Sequence, residues 1–418
     1  MPKINHIVAR EIFDSRGNPT IETRVTIDNG ARGKSSVPSG SSIGTHEAAE
    51  LRDGDLSNFN GLGVTKAVDA VNQEITKVIT GMDAANQGGI DRAMIDLDGT
   101  PNKARLGANS ILSVSQAVAA ASAISSDMSL AAYIGQIVSN EALSKIPIPI
   151  FNLMEGGKHA KSPLDFQEYL VIPASTKTFT ESFEIGVRVY QSLKKIITNR
   201  GMIPLTADEG GFSPTLGTNK AALSFLREAI EASGITFTID AFMGLDIAAN
   251  TIYTDKAYRL IDRPTPLSSL DLANFYQDIF GEYSLIYIED PFAEEDIDGW
   301  KKISTTLGDK TLIVGDDLIA TNPFRLEQAI ENKLVGGIVI KPNQIGTVSE
   351  AIAVAEIAKF KEIKTIVSHR SGETEDTFIA DFAVGIGADY VKFGAPARER
   401  MIKYNRLLKL ASELKISE

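Results

Sequence analysis

LIYIED, residues 285–290, decides the fold. It opens as a strand buried on both faces, with Leu285, Ile286, Tyr287 and Ile288 in succession. It ends on two acids, Glu289 and Asp290, before Pro291 stops it. An apolar strand that ends on carboxylates is costly unless water or a positive charge meets them. The same design recurs in FMGLDIA, TLIVGDD, GGIVIKP and TIVSHRS, with amphipathic segments such as PFRLEQAIEN and TVSEAIAVAEIAKF between them. The strand-end residues are Asp246, Glu289, Asp316, Lys341 and His369, and the last three steps are 27, 25 and 28 residues. A repeat of that length is one strand–helix unit, and roughly 250 residues built this way predict an irregular (β/α)8 barrel of the TIM type. IFNLM, EYLVIP and PLTADE upstream and DYVKFG downstream make nine candidates for eight places, so one is misassigned or lies outside the barrel. IFNLM and EYLVIP leave no room for a helix between them, which predicts an irregular ββ pair at the start.

The first part of the chain has a different pattern. IVAREIFDSRGNPTIETRVTIDNGARGKSSV holds two or three alternating β-runs broken at Ser15–Pro19 and at Asp28-Asn29-Gly30, a strong turn signal. PSGSSIGTHEAAELRDGD is Ser- and Gly-rich and reads as a mobile loop leading into a short helix. From about Val64 to Ile124 the period is helical. The expected organisation is therefore an N-terminal α+β domain over residues 1–135 and a barrel domain over 136–418.

Bulk properties narrow the function classes. A chain of 418 residues exceeds what one core usually organises, and 43% hydrophobic with 23% charged residues is ordinary for a globular protein. With no charged-then-apolar leader and no long apolar span, neither secretion nor membrane insertion is expected. Zero cysteines exclude disulfides, thiolate metal sites and a cysteine nucleophile, and fit a reducing cytoplasm. A net charge of −12 argues against DNA or RNA as principal partner, while leaving room for a small anion in a locally positive pocket.

In a barrel the strand C-termini converge on one face. Asp246, Glu289 and Asp316 would then share one mouth, where three carboxylates repel one another unless a cation lies between them. Any one of them alone reads as a solvated strand end. Together, all-oxygen donors without Cys or clustered His select a hard divalent ion, most simply Mg²⁺. Lys341 reads either as a salt-bridge partner of these acids or as a general base. The second role needs its pKa lowered from near 10.4 by roughly three units, about 4 kcal/mol. Glu209, in ADEGGF, is placed on the strand before Asp246 and opposite Lys341, as an acid or as a plain turn carboxylate. Arg370 and Ser371 offer an anion site, with a planar guanidinium fork. Glu373, Glu375 and Asp376 read as helix-start residues. Lys392 is a fixed cation or, as for most lone strand lysines, a snorkelling surface residue. His159 follows two glycines, as where backbone nears a ligand, whereas His6 and His46 are left as structural.

With these residues assembled, the sequence resembles the enolase family along nearly its whole length. DSRGNPT, PSG..IG.HEA..LRDGD, LDGT.NK..LGAN, QEY, DEGGF, IEDPF, VGDDL, NQIGT, SHRSGETEDTFIAD and GAP.R occur in the family's order. The resemblance implies reversible dehydration of 2-phosphoglycerate to phosphoenolpyruvate, a small phosphorylated carboxylic acid substrate, two Mg²⁺ per site and a homodimer or octamer. It further implies a cytoplasmic protein, with a second location at the cell surface left open. By position, Asp246, Glu289 and Asp316 match the ligands of the first magnesium, and Ser42 the loop serine on a second, substrate-dependent one. Lys341 matches the base, Glu209 the acid and Glu168 a carboxylate working with it. Gln167, His159, His369, Arg370, Ser371 and Lys392 match substrate contacts. Ser41 and Ile43 flanking Ser42, Glu155 in place of Asn, Pro342 after Lys341 and Phe393 after Lys392 depart from the pattern. These departures bear on affinity, loop closure and rate more than on reaction type. Two alternatives stay open: a related dehydratase or racemase acting on another acid, and a non-catalytic scaffold.

Overall fold

The computed structural model describes residues 1–41, 44–139 and 143–414. Strands β1 (Ile4–Phe13), β2 (Pro19–Ile27) and β3 (Arg32–Ser36) form an antiparallel sheet in the order β1-β2-β3, as the alternating runs predict. At the β1–β2 turn the Asp14 carboxylate accepts from the amides of Arg16 and Asn18. The sheet packs on the helix Ala108–Ser125, which lies so close to β3 that a Cβ on Gly33 would stand 2.1 Å from the Ala117 carbonyl oxygen. Thr23 and Ser35 bond Ser113 and Gln116 of that helix. It is nearly all-round buried, and no single helix among the described residues is long and apolar enough to cross a membrane.

The second part is a closed barrel of eight strands: β4 (Ile148–Glu155), β5 (Glu168–Pro173), β6 (Ala241–Asp246), β9 (Leu285–Glu289), β10 (Leu312–Gly315), β11 (Gly337–Ile340), β12 (Lys364–Ser368) and β13 (Tyr390–Lys392). A two-residue-per-arm hairpin, β7 (Tyr253–Thr254) with β8 (Ala257–Tyr258), stands outside it. Around the barrel the order is β10-β11-β12-β13-β4-β5-β6-β9. The predicted ββ start is present: β5 runs antiparallel to both β4 and β6, and every other pairing is parallel. The ninth candidate is the misassigned one. PLTADE makes no barrel strand; Leu205 is 61% exposed, and only Thr206 forms an isolated bridge, to Phe212. Glu209 therefore sits on a turn, not on a strand.

Barrel strands have two faces, and the period of two sorts their side chains. Ile150, Leu170, Ile172, Tyr287, Val314, Val339 and Ile366 fill the interior, while Tyr169, Val171, Leu245, Ile288, Ile313 and Ile338 belong to the larger core beneath the helices. Carried to the mouth ends of the strands, and one residue beyond for Asp316 and Lys341, the same alternation turns Glu168, Asp246, Glu289, Asp316, Lys341 and Lys392 inward. Gly244 makes room for this interior, since a Cβ there would lie 2.8 Å from that of Tyr287. Phe393 has the opposite parity and packs outward against Tyr404, so the large side chain after Lys392 stays out of the mouth.

Candidate active site

Because β5 is reversed, its first residue lies level with its neighbours' last ones: Glu155 pairs with Glu168, Glu168 with Asp246, and Asp246 with Glu289. This register sets a row of four buried acids along one wall of the mouth. β11 stands four places from β5 in the closed ring of eight, so Lys341, which follows β11, rises from the wall opposite Glu168.

The row is balanced by lysine. Lys392 is 2% exposed, and its Nζ lies 2.9 Å from Glu168, 3.1 Å from Asp246 and 2.8 Å from Glu289. That overturns its reading as a snorkelling surface residue. Lys341 pairs with Asp316, which also accepts from Gln344 Nε2 at 2.9 Å. One ammonium cannot neutralise three carboxylates, and the pKa shifts follow. Burial would lower Lys392, but Asp246, Glu168 and Glu289 hold it well above its ordinary value. Burial pushes Asp246 up to about 7, with Glu168 and Asp316 adding to the rise against the pull of Lys392. Burial and then Asp246 push Glu289 up to about 8. Asp316 is pulled below the usual carboxylate range against its burial by Lys341 and Lys392, and Lys341 is raised against its burial by Asp316. In this arrangement Lys341 is a paired ammonium, not yet the depressed base expected of it.

The donor set suits a hard divalent cation: three inward carboxylates, no sulfur, and charge left uncompensated. Asp290, Asp316 and Asp317 bring ligand oxygens within 4.8 Å of one another, as do His159, Glu168 and Glu209 with their ligand atoms. Asp246 and Glu289 meet through Lys392 instead. Asp290 holds the strand ends in place by accepting from the amides of Asp316 (2.9 Å) and Asp317 (2.7 Å).

A stability prediction follows from the two raised acids. Unfolded, Asp and Glu titrate near 3.9 and 4.3. Folded-state values raised above these make a contribution that is complete below about pH 4 and lost as pH rises through 7–8. His369, pushed down to about 4, acts with the opposite sign and only below its ordinary 6.5. Metal-free protein should therefore melt at a lower temperature at pH 8.5 than at pH 6.5, and Mg²⁺ should raise Tm more at the higher pH. Calorimetric melts in EDTA and in Mg²⁺ check this; a flat metal-free profile would contradict the uncompensated site.

Across the mouth, Glu209 Oε2 accepts from Asn152 Nδ2 (3.1 Å) and pairs with His369 Nε2 (3.0 Å). Arg400, fully buried, points Nη1 at His369 Nδ1 (2.9 Å). A guanidinium only donates, so Nδ1 is the acceptor and Nε2 carries the proton given to Glu209. Burial, with Arg400 adding to it, accordingly lowers His369. Burial opposes ionisation of Glu209, but His369, then His159, and the hydrogen bond from His369 hold that carboxyl well below its usual range. Glu168 goes the other way: burial, and Glu209 beyond it, raise it well above, despite Lys392. His159 lies between them, with Nδ1 3.8 Å from Glu168 and 3.7 Å from Glu209; burial lowers its pKa. Two carboxyls with pKa values pushed apart suit a shared proton. Gln167 is buried beside them, its Nε2 3.5 Å from Asp246.

The rim joins the two domains. Arg370 makes a forked pair with Glu47 (2.9 and 3.2 Å) and bonds Asn343. Ser371 accepts from the Ser41 amide at 2.7 Å and meets its hydroxyl at 2.9 Å, and Ser39 and Gly372 exchange backbone bonds. Ser42 and Ile43 lie outside the described residues. Glu373 pairs with Lys403, and Asp376 accepts from the Phe378 amide where a helix begins. Pro342 opens a short helix, where its missing amide would have had no partner in any case, and the Lys341 amide goes to Thr321 Oγ1. Sequence reasoning missed Glu47, Asn152, Asp290 and Arg400. Of these, Asp290 lies within the acid pair that ends LIYIED and Glu47 within the HEA motif, whereas Asn152 and Arg400 carried no signal. The GAP.R motif contains Arg398, which bonds Thr206 at the surface. Compared with protein-family models, residues 4–134 match the N-terminal domain of enolase, and residues 143–417 match the enolase C-terminal TIM barrel domain.

Proposed function

The chain belongs to the enolase family, and on that premise we propose that this dehydratase converts 2-phosphoglycerate reversibly to phosphoenolpyruvate. Lys341 takes the C2 proton. The C3–O bond then breaks, and the hydroxyl leaves as water with the proton shared by Glu168 and Glu209. Asp246, Glu289 and Asp316 would hold Mg²⁺, which when bound supplies positive charge against the charge that collects on the substrate carboxylate. A Lys or His base with Mg²⁺ is the known general pattern of enolase-superfamily sites and is adopted as such. Lys392 would orient that carboxylate, with Gln167 and His159 beside it, while Arg370 and Ser371 would take the phosphate. Ser42 would serve a second, substrate-dependent Mg²⁺. What supports this best is the opposition of Lys341 and the Glu168–Glu209 pair across one mouth.

For Lys341 to act as a base, its proton must first be lost and its hold on Asp316 relaxed. Purified protein given 2-phosphoglycerate should develop the ultraviolet absorbance of phosphoenolpyruvate with Mg²⁺ and not with EDTA. Absence of product from folded, Mg²⁺-loaded protein would overturn the proposal. In the same assay Arg370→Lys should raise KM roughly 10- to 100-fold, the scale of one lost charged hydrogen bond. An unchanged KM would remove Arg370 as the phosphate contact.

A further inference from the structure

One buried acid has no part in that chemistry. Glu155, at the mouth end of β4, is fully buried. Its Oε1 accepts from the Gly211 amide at 2.6 Å, and its Oε2 faces the Glu209 amide at 3.3 Å. We propose that Glu155 is a positioning residue for Glu209: its carboxyl clamps the turn that carries Glu209 to the end of β4.

The hydrogen bonds of that turn single Glu155 out. The carbonyls of Asp208, Glu209 and Gly210 are held by Arg400, the Ala395 amide and Tyr190. The Gly210 amide closes on Ala207 within the turn. The Glu209 and Gly211 amides both go to Glu155. Beyond the turn, backbone bonds between Phe212 and both Glu155 and Leu153 continue the seam along β4. Gly211 is matched to the clamp, since a Cβ there would stand 2.8 Å from Glu155 Oε1. Burial, then the charge of Glu209, push the Glu155 carboxyl well above its ordinary range. An acid in so unfavourable a place is offset by the two amides it satisfies, and an apolar side chain would leave both buried and unpaired. Glu209 is thereby fixed at both ends, its backbone by Glu155 and its carboxyl by Asn152 and His369.

The inference rests on the proposed dehydration, and its test separates the two. In Glu155→Ala, kcat for phosphoenolpyruvate formation should fall roughly 10- to 100-fold, the scale of a reacting group misplaced by about 1 Å. KM should stay within about threefold. Exchange of the substrate C2 proton, which needs Lys341 but not Glu209, should persist near the wild-type rate. Glu155→Gln keeps the shape and one acceptor for Gly211 and should recover most of the loss, but its amide nitrogen cannot accept from Glu209. If the alanine variant does not fold, faster hydrogen exchange at the Glu209 amide of Glu155→Gln is the expected result, and wild-type protection there would overturn the clamp. Hydrogen exchange at the Glu209 and Gly211 amides should quicken in Glu155→Ala. Wild-type turnover with both amides still protected would overturn the clamp, as would equal loss of exchange and dehydration. Should wild-type protein make no phosphoenolpyruvate, the function proposal fails, and amide protection alone decides for or against the clamp.

Discussion

Lys341→Ala is expected to stop exchange of the substrate's C2 proton with solvent and to lower kcat by roughly 10²- to 10⁴-fold, the span of positioned acid–base catalysis. KM should move little. The fold around the residue does not depend on its side chain, because β11 is paired on both sides and the Lys341 amide is held by Thr321. Asp316 keeps Gln344 as a donor after the change. Lys392 cannot take over, being held among Glu168, Asp246 and Glu289 at the opposite wall. Solvent deuterium appearing at C2 in the alanine variant would remove Lys341 as the base. Loss of exchange with intact binding would leave it as the group that touches the proton.

The second large effect is expected at Asp316. Asp316→Asn removes one full negative charge from the proposed Mg²⁺ ligands and the counter-charge of Lys341 together. Affinity for Mg²⁺ should fall by at least the roughly 10- to 100-fold found for residues that merely support a ligand. Titration calorimetry measures it, and unchanged affinity would exclude Asp316 as a ligand. Lys341 should respond as well. Without Asp316 its ammonium is buried and unpaired, so its pKa should fall. If Mg²⁺ still binds at high concentration, the alkaline-going limb of the exchange profile should shift to lower pH.

Much of the barrel was legible because its strands announce themselves twice, by apolar runs that need burial on both faces and by the charged residue that follows. LIYIED and GGIVIKP carry both marks, and Glu289 and Lys341 are where those marks place them. PLTADE carries the same marks in weaker form and misled, since composition does not report that Leu205 lies at the surface. Lys392 was ambiguous for a related reason. A lone strand lysine is ordinarily exposed, and only barrel closure brings three acids around it. The direction of β5 could not be read from residues 168–173 alone, although it decides that Glu168 reaches the mouth at all. Partners far apart in the chain were the least legible. Glu47 and Arg370 are 323 positions apart, and Arg400 meets His369 across an intervening helix and strand.

The place of Lys392 on the last barrel strand has a consequence for how the chain is made. β13 closes the ring by pairing with β4, the first barrel strand, so its contacts are among the most distant in sequence within the barrel. While the chain is still emerging from the ribosome, Glu168, Asp246 and Glu289 are already present and have no ammonium between them. Arrival of β13 supplies the missing strand and the missing cation in one step. Lys392 thus belongs to the strand that completes the hydrogen-bonded ring, so closure of the barrel and the counter-charge for Glu168, Asp246 and Glu289 come from one segment.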